Sequence, residues 1–171
     1  MKFLLKYKNN QKGQILIESI VAISIGVMAV TGVLTMLTSS IGASNDLGQR
    51  ATGTYLAAEG VEIVKSLIDK NYVNSSAWNA GISSGSFEAE YNSSGLLSNN
   101  NRLFYFNPSS GIYSYDDSSG VQTTFRRLIK IHNVDSYHIR VRSTVSWTER
   151  GGETNEIMLE DHFYNWRSLL K

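Results

Sequence analysis

The chain has 171 residues, 42% apolar and 11% aromatic, with 16 Lys/Arg against 15 Asp/Glu and no cysteine. Its first 13 residues hold four lysines and no acidic residue, so residues 14–171 carry 12 basic against 15 acidic side chains, a net −3 behind a basic head. This balance excludes a disordered chain, a basic nucleic-acid module, a multi-domain protein, and any fold resting on disulfides or thiolate metal sites.

Residues 2–12, KFLLKYKNNQK, have the composition of a cytoplasmic flank under the positive-inside rule. No charged residue occurs from Ser19 to Asn45, and the segment Ser19–Thr38 is 20 residues long. A helix of that length spans about 30 Å, the thickness of a hydrocarbon core. The pattern therefore predicts a single membrane-spanning helix, basic end inside and the bulk of the chain outside, and it excludes an ordinary cytosolic enzyme. The polar residues in the span are serines and threonines, whose hydroxyls can bond back to helix carbonyls. A cleaved secretory signal would have a shorter apolar run and a small-x-small site beyond it. Ala43 and Ser44 offer only a poor version of one.

One residue breaks the pattern. Glu18 follows Ile15, Leu16 and Ile17 and precedes the apolar run, which places a carboxylate in the first turns of a hydrophobic helix. A charge deep in such a helix costs on the order of 2.5–3.5 kcal/mol, less near the interface, and a plain anchor gains nothing from it.

The word Lys12-Gly13-Gln14-Ile15-Leu16-Ile17-Glu18 resembles the processing site of type IV prepilins and of the pseudopilins of type II secretion systems. The short all-basic leader before it and the apolar run after it make the resemblance specific. It implies that a prepilin peptidase cuts between Gly13 and Gln14, and that the new amino terminus at Gln14 is N-methylated. It further implies that Glu18, the fifth mature residue, pairs with the terminal amine of a neighbouring subunit and so sets assembly register. An off-register subunit would leave a buried charge unmatched. Gln14 and Ile15 stand where the family commonly has Phe or Met and then Thr or Ser. The only proline is Pro108, so Gly26 and Gly32 are the expected soft points of the span.

Residues 45–70 predict an amphipathic continuation of the helix. Ala57, Val61, Val64 and Ile68 form a stripe widened by Leu56, Ile63 and Leu67, with Glu59, Glu62, Lys65 and Asp69 mainly away from it and Lys65 with Asp69 as an i, i+4 pair. Gly48, Gly53 and Gly60 each weaken a helix by about 1 kcal/mol relative to alanine, and fraying is expected near 42–48. The stretch LAAEGVEIVKSLID also resembles the matching part of minor pilins and smaller pseudopilins.

Residues 71–120 are rich in Ser, Asn and Gly. They read as loops with short strands, Leu103–Phe106 and Gly111–Tyr115 forming a hairpin across 107–111. Further on, alternation predicts three antiparallel strands. The first places Phe125, Ile129 and Ile131 inward. The second, Tyr137–Trp147, turns Tyr137, Ile139, Val141, Val145 and Trp147 inward, and the third, Asn155–Glu160, turns Ile157 and Leu159 inward. Phe163 and Trp166 are expected to pack at an edge. The predicted fold is α+β, pilin-like: a leader 1–13, a transmembrane half-helix 14–44, an amphipathic half 45–70 packed on a small antiparallel sheet, and a head 71–171.

No catalytic set is found, whether nucleophile elbow, phosphate loop, zinc-protease or dinucleotide fingerprint, so the chain reads as non-enzymatic and without cofactor. Asp116-Asp117 could hold calcium but reads as a solvated turn, and Glu160, Asp161 and His162 could bind a metal only weakly, because three consecutive side chains point in different directions. Arg126, Arg127, Lys130, Arg140 and Arg142 form a basic strip that could touch DNA backbone but reads as a solvated sheet face. The implied role is a structural subunit, a minor one, of a pilus or pseudopilus, made at the cytoplasmic membrane. The implied partners are prepilin peptidase, other pilin or pseudopilin subunits, an inner-membrane platform protein, an assembly ATPase and membrane lipid. The alternative is an uncleaved, membrane-anchored binding domain outside the cytoplasm.

Overall fold

The computed structural model describes residues 11–118, 120–149 and 151–166, with side chains from Gly13 onward. One helix, α1, runs unbroken from Gln11 to Val73, 63 residues. The fraying expected at 42–48 is absent, because backbone bonding continues through Gly42 and Gly48. The chain forms two compact units divided after Leu47. In the first, the described residues are bare helix. The second comprises the helix from Gly48 and everything after it.

Among the described residues of the second unit eight strands follow: β1 (Gly85–Glu88), β2 (Leu97–Ser98), β3 (Tyr105–Asn107), β4 (Ile112–Ser114), β5 (Val121–Gln122), β6 (Arg126–Asn133), β7 (His138–Thr148) and β8 (Thr154–Tyr164). They make a five-stranded sheet in the order β2-β1-β6-β7-β8 and a small sheet in the order β4-β3-β5, with every pairing antiparallel. The hairpin expected across 107–111 is β3–β4. Its turn is closed by Gly111 N–H donating to the Asn107 carbonyl (2.8 Å), while the Asn107 side-chain oxygen accepts from Ser109 N–H (2.9 Å). β8 runs four residues past the expected end at Glu160, since β7 offers it a partner as far back as His138.

One face of the large sheet packs on the amphipathic half of α1. Val64 and Ile68 meet Ile129, Ile131, Ile139 and Val141, sealed by Trp78, Ile82 and Ala89. One turn and more toward the N-terminus, Leu56 and Ala57 meet Phe104, Phe125, Val145 and Trp147, with Ile157 and Leu159 alongside. Each fully buried aliphatic side chain there contributes about 1.5–3 kcal/mol. The alternation read from sequence holds for all of these. It fails for Tyr137, which is 52% exposed. β7 begins only at His138, and Tyr137 lies in the turn, its N–H held by Asp135 (2.7 Å).

Between the two apolar clusters the core is polar. Arg127 and Ser143 are buried there, beneath Gly60. Arg127 was expected on the solvated face with the other basic residues. The parity that turns Phe125 and Ile129 inward turns Arg127 inward too. Its Nη1 donates to the Leu56 carbonyl (2.9 Å) and to Glu59 (2.8 Å), its Nη2 donates to the Ala89 carbonyl, and its guanidinium lies 4.9 Å from the Phe104 ring centre. Glu59 therefore turns its carboxylate to the sheet while staying partly exposed. Lys65 pairs with Glu62 at i, i+3 (3.1 Å), the helix register presenting Glu62 to it ahead of Asp69.

Gly53 and Gly60 are not weak points but contact points. A methyl group at Gly53 would meet the Trp147 ring at 2.8 Å. One at Gly60 would collide with the Ser143 hydroxyl and lie 2.9 Å from Arg127 Cδ. Their missing side chains let the helix backbone approach the strands.

Candidate functional site

In the first unit, every residue from Gly13 to Asn45 is exposed. Ile15, Leu16, Ile17, Ile20, Ile23 and Ile25 each expose more than half of their surface, and Met28 and Met36 about three quarters (74% and 77%). The helix is long and apolar enough to cross a membrane. Five of its hydroxyls bond back to the helix backbone. Ser19 donates to the Ile15 carbonyl (2.8 Å), Ser24 to Ile20 (2.8 Å), Thr31 to Val27 (2.7 Å), Thr35 to Thr31 (2.9 Å) and Thr38 to Leu34 (3.1 Å). These bonds satisfy the hydroxyls without a solvent partner, which is what hydrocarbon demands.

Gly13, Gln14 and Glu18, the three residues singled out from sequence, lie together. With Ile17, Val21, Ala22 and Ile25 they line one shallow groove along the helix flank. Gln14 and Glu18 are i, i+4 and therefore stacked one turn apart on the same face. Glu18 is exposed, and among the described residues it has no hydrogen bond or ion pair. A carboxylate held so in an apolar setting is a strong attractor for a cation brought by another molecule. Residues 1–10 of the expected leader lie outside the described residues.

The other candidates scatter. The Asp116 carboxylate accepts from Ser118 N–H (2.9 Å), which with the Ser118 hydroxyl holds its pKa below the ordinary carboxylate value. Along β8 Asp161 turns to the opposite face from Glu160 and His162, whose side chains meet, His162 Nε2 lying 3.4 Å from Glu160 Oε1. Glu160 pairs with Arg142 (2.6 Å), whose hydrogen bond lowers the Glu160 pKa, and Asp161 accepts from His162 N–H (2.8 Å). Among the described residues no three His, Asp or Glu side chains converge as metal ligands would. Sequence reading missed that His138 and His162 meet, Nε2 to Nδ1 at 2.7 Å. They are 24 residues apart, and only the β7–β8 register juxtaposes them. It also missed Glu88, which is fully buried and accepts from Asn100 N–H (3.0 Å), Arg102 N–H (2.9 Å) and Arg102 Nε (2.8 Å). No protein-family model, curated protein or solved structure matches the chain.

Proposed function

We propose that the chain is a structural, non-enzymatic subunit, a minor one, of a type IV pilus or type II secretion pseudopilus, processed by prepilin peptidase between Gly13 and Gln14. The observation that carries this reading is the lone Glu18 carboxylate, one turn from Gln14, on a stretch of α1 that is exposed from Gly13 to Asn45 and carries no other charge there. After scission Gln14 would bear an α-amine. In a bundle of such helices, that amine and the Glu18 of a neighbour replace two unmatched charges by one compensated pair. Cohesion comes from the exposed apolar side chains, and register comes from the pair. The α+β architecture, with its membrane-length helix, supports the reading. On this reading the platform protein and assembly ATPase draw the subunit from the lipid bilayer into the filament, and the head lies outside the cytoplasm.

Intact mass of the protein extracted from membranes tests the reading. The expected result is loss of Met1–Gly13, with an added methyl group if Gln14 is modified. A polypeptide still beginning at Met1, in a host with a working prepilin peptidase, rejects the proposal and leaves an uncleaved membrane-anchored domain.

A further inference from the structure

Two of the chain's three histidines meet on the face of the large sheet turned away from α1. His138 opens β7 opposite Tyr164, and His162 on β8 stands opposite Arg140, so the two imidazoles are diagonal neighbours. His138 Nε2 and His162 Nδ1 lie 2.7 Å apart, whereas the ring centres are 5.0 Å apart with their planes 27° from parallel. The rings therefore meet edge to edge, nitrogen toward nitrogen, and not face on face.

Each ring has its own support. The Tyr164 ring stacks on His138, with 4.4 Å between centres and 13° between planes. Glu160 Oε1 lies 3.4 Å from His162 Nε2, while Glu160 Oε2 takes both bonds from Arg142 (2.9 and 2.6 Å). The carboxylate favours the His162 tautomer with its proton on Nε2, which leaves the Nδ1 lone pair aimed at His138. Histidines that ligate metals usually donate their other ring N–H to a carboxylate in this way. Both imidazoles stand on strands of 11 residues paired along their full length, which fixes the positions they are built from.

We propose that His138 Nε2 and His162 Nδ1 together bind one transition-metal dication, Cu²⁺ most tightly, with Glu160 orienting His162 and water filling the remaining positions. Metal–nitrogen bonds of about 2.0–2.1 Å set adjacent ligands about 3 Å apart, so the two nitrogens need only part slightly. The ion takes the place of the proton that His138 donates to His162, which His138 can carry on Nδ1 instead. Neighbouring charges decide the class of metal. Arg140 and Arg142 flank the pair against the Glu160 carboxylate, and Asp161 lies on the opposite face. Mg²⁺ and Ca²⁺ require several oxygen ligands and would find one carboxylate, already engaged by Arg142. Imidazole nitrogens suit Cu²⁺, Ni²⁺ and Zn²⁺, and affinity among these is highest for Cu²⁺. The inference does not depend on processing at Gly13 or on filament assembly.

The test uses the full chain in neutral detergent, without a polyhistidine tag and stripped of metal by a chelator. Isothermal titration calorimetry with Cu²⁺, Ni²⁺ and Zn²⁺ salts at neutral pH gives stoichiometry and affinity, and electron paramagnetic resonance of the Cu²⁺ form counts the nitrogen ligands. The parent chain should take up Cu²⁺ with the splitting of two imidazoles, and Ni²⁺ and Zn²⁺ more weakly. His138→Ala and His162→Ala, two independent variants at the sheet surface, should each weaken Cu²⁺ binding about tenfold or more and leave the signature of one imidazole. His132→Ala, on the same face, should change neither readout. Glu160→Ala should weaken binding about tenfold yet keep the two-imidazole spectrum, because Glu160 positions a ligand and does not supply one. Absence of Cu²⁺ binding by the parent, a parent spectrum with one imidazole, or binding that neither His138→Ala nor His162→Ala weakens overturns the proposal.

Discussion

Arg127 holds three parts of the head together. It joins the α1 backbone at Leu56, the Glu59 carboxylate and the Ala89 carbonyl, and it closes over Phe104. Removing one partner of a buried pair leaves the others desolvated and unmatched, so Arg127→Ala should cost about 3–5 kcal/mol. Glu59→Gln, at a partly exposed partner, should cost about 1 kcal/mol. Urea unfolding of the detergent-solubilised chain, followed by the fluorescence of the buried tryptophans Trp78 and Trp147, would rank the two. Tyr115 offers a pH test. Its ring stacks on Phe104 (4.7 Å) beneath the Arg102 guanidinium (4.1 Å), and burial pushes its pKa up to about 12 from the ordinary 10. The neutral phenol is favoured in the folded state, so its contribution is fully present below pH 10 and is lost as pH rises from about 10 to 12. Tyr115→Phe should therefore flatten that alkaline limb of the stability profile relative to the parent. None of these couplings is legible in the sequence. Arg127 looks like any other residue of a basic run, and Glu88 and Arg102 are 14 positions apart in a loop-rich stretch.

The elements themselves were largely legible. The 3.6-residue stripe from Leu56 to Ile68 and the alternation along β6 and β7 specify which faces are buried, because both periods follow from backbone geometry alone. The glycines of α1 show where periodicity is silent. Gly48 and Gly60 are alike in sequence, yet nothing lies within 4 Å of a methyl group placed at Gly48, whereas one at Gly60 strikes Ser143 and Arg127. Gly48→Ala should stabilise the head by roughly 0.5–1 kcal/mol through helix propensity. Gly60→Ala should destabilise it by about 1–3 kcal/mol despite the same propensity gain, because overpacking forces the strands away. Thermal melts of the two variants, moving in opposite directions, would check this. A Gly60→Ala variant as stable as Gly48→Ala would mean that the close approach does not exist.

At the scale of the whole molecule, the apolar stretch of α1 from Gly13 to Asn45, with Glu18 as its one carboxylate, is left uncovered by the described residues. On the proposed reading, Glu18→Ala leaves membrane insertion unchanged, since removing a charge only favours hydrocarbon. It should lower incorporation into filaments at least tenfold relative to the parent, measured as the sheared fraction against the membrane-retained one. The order of hydropathy and charge along the chain determined the membrane-length helix, the isolation of Glu18 beside Gln14 and the inward faces of the strands. These depend on the spacing of neighbouring residues, which a linear pattern records. The three-dimensional fold alone decided that Arg127 is core, that Gly60 is a contact, that His138 meets His162, and that Lys130 faces Arg142. Each of these depends on strand register and on the distance between helix and sheet, and those are fixed by packing among residues far apart in the chain.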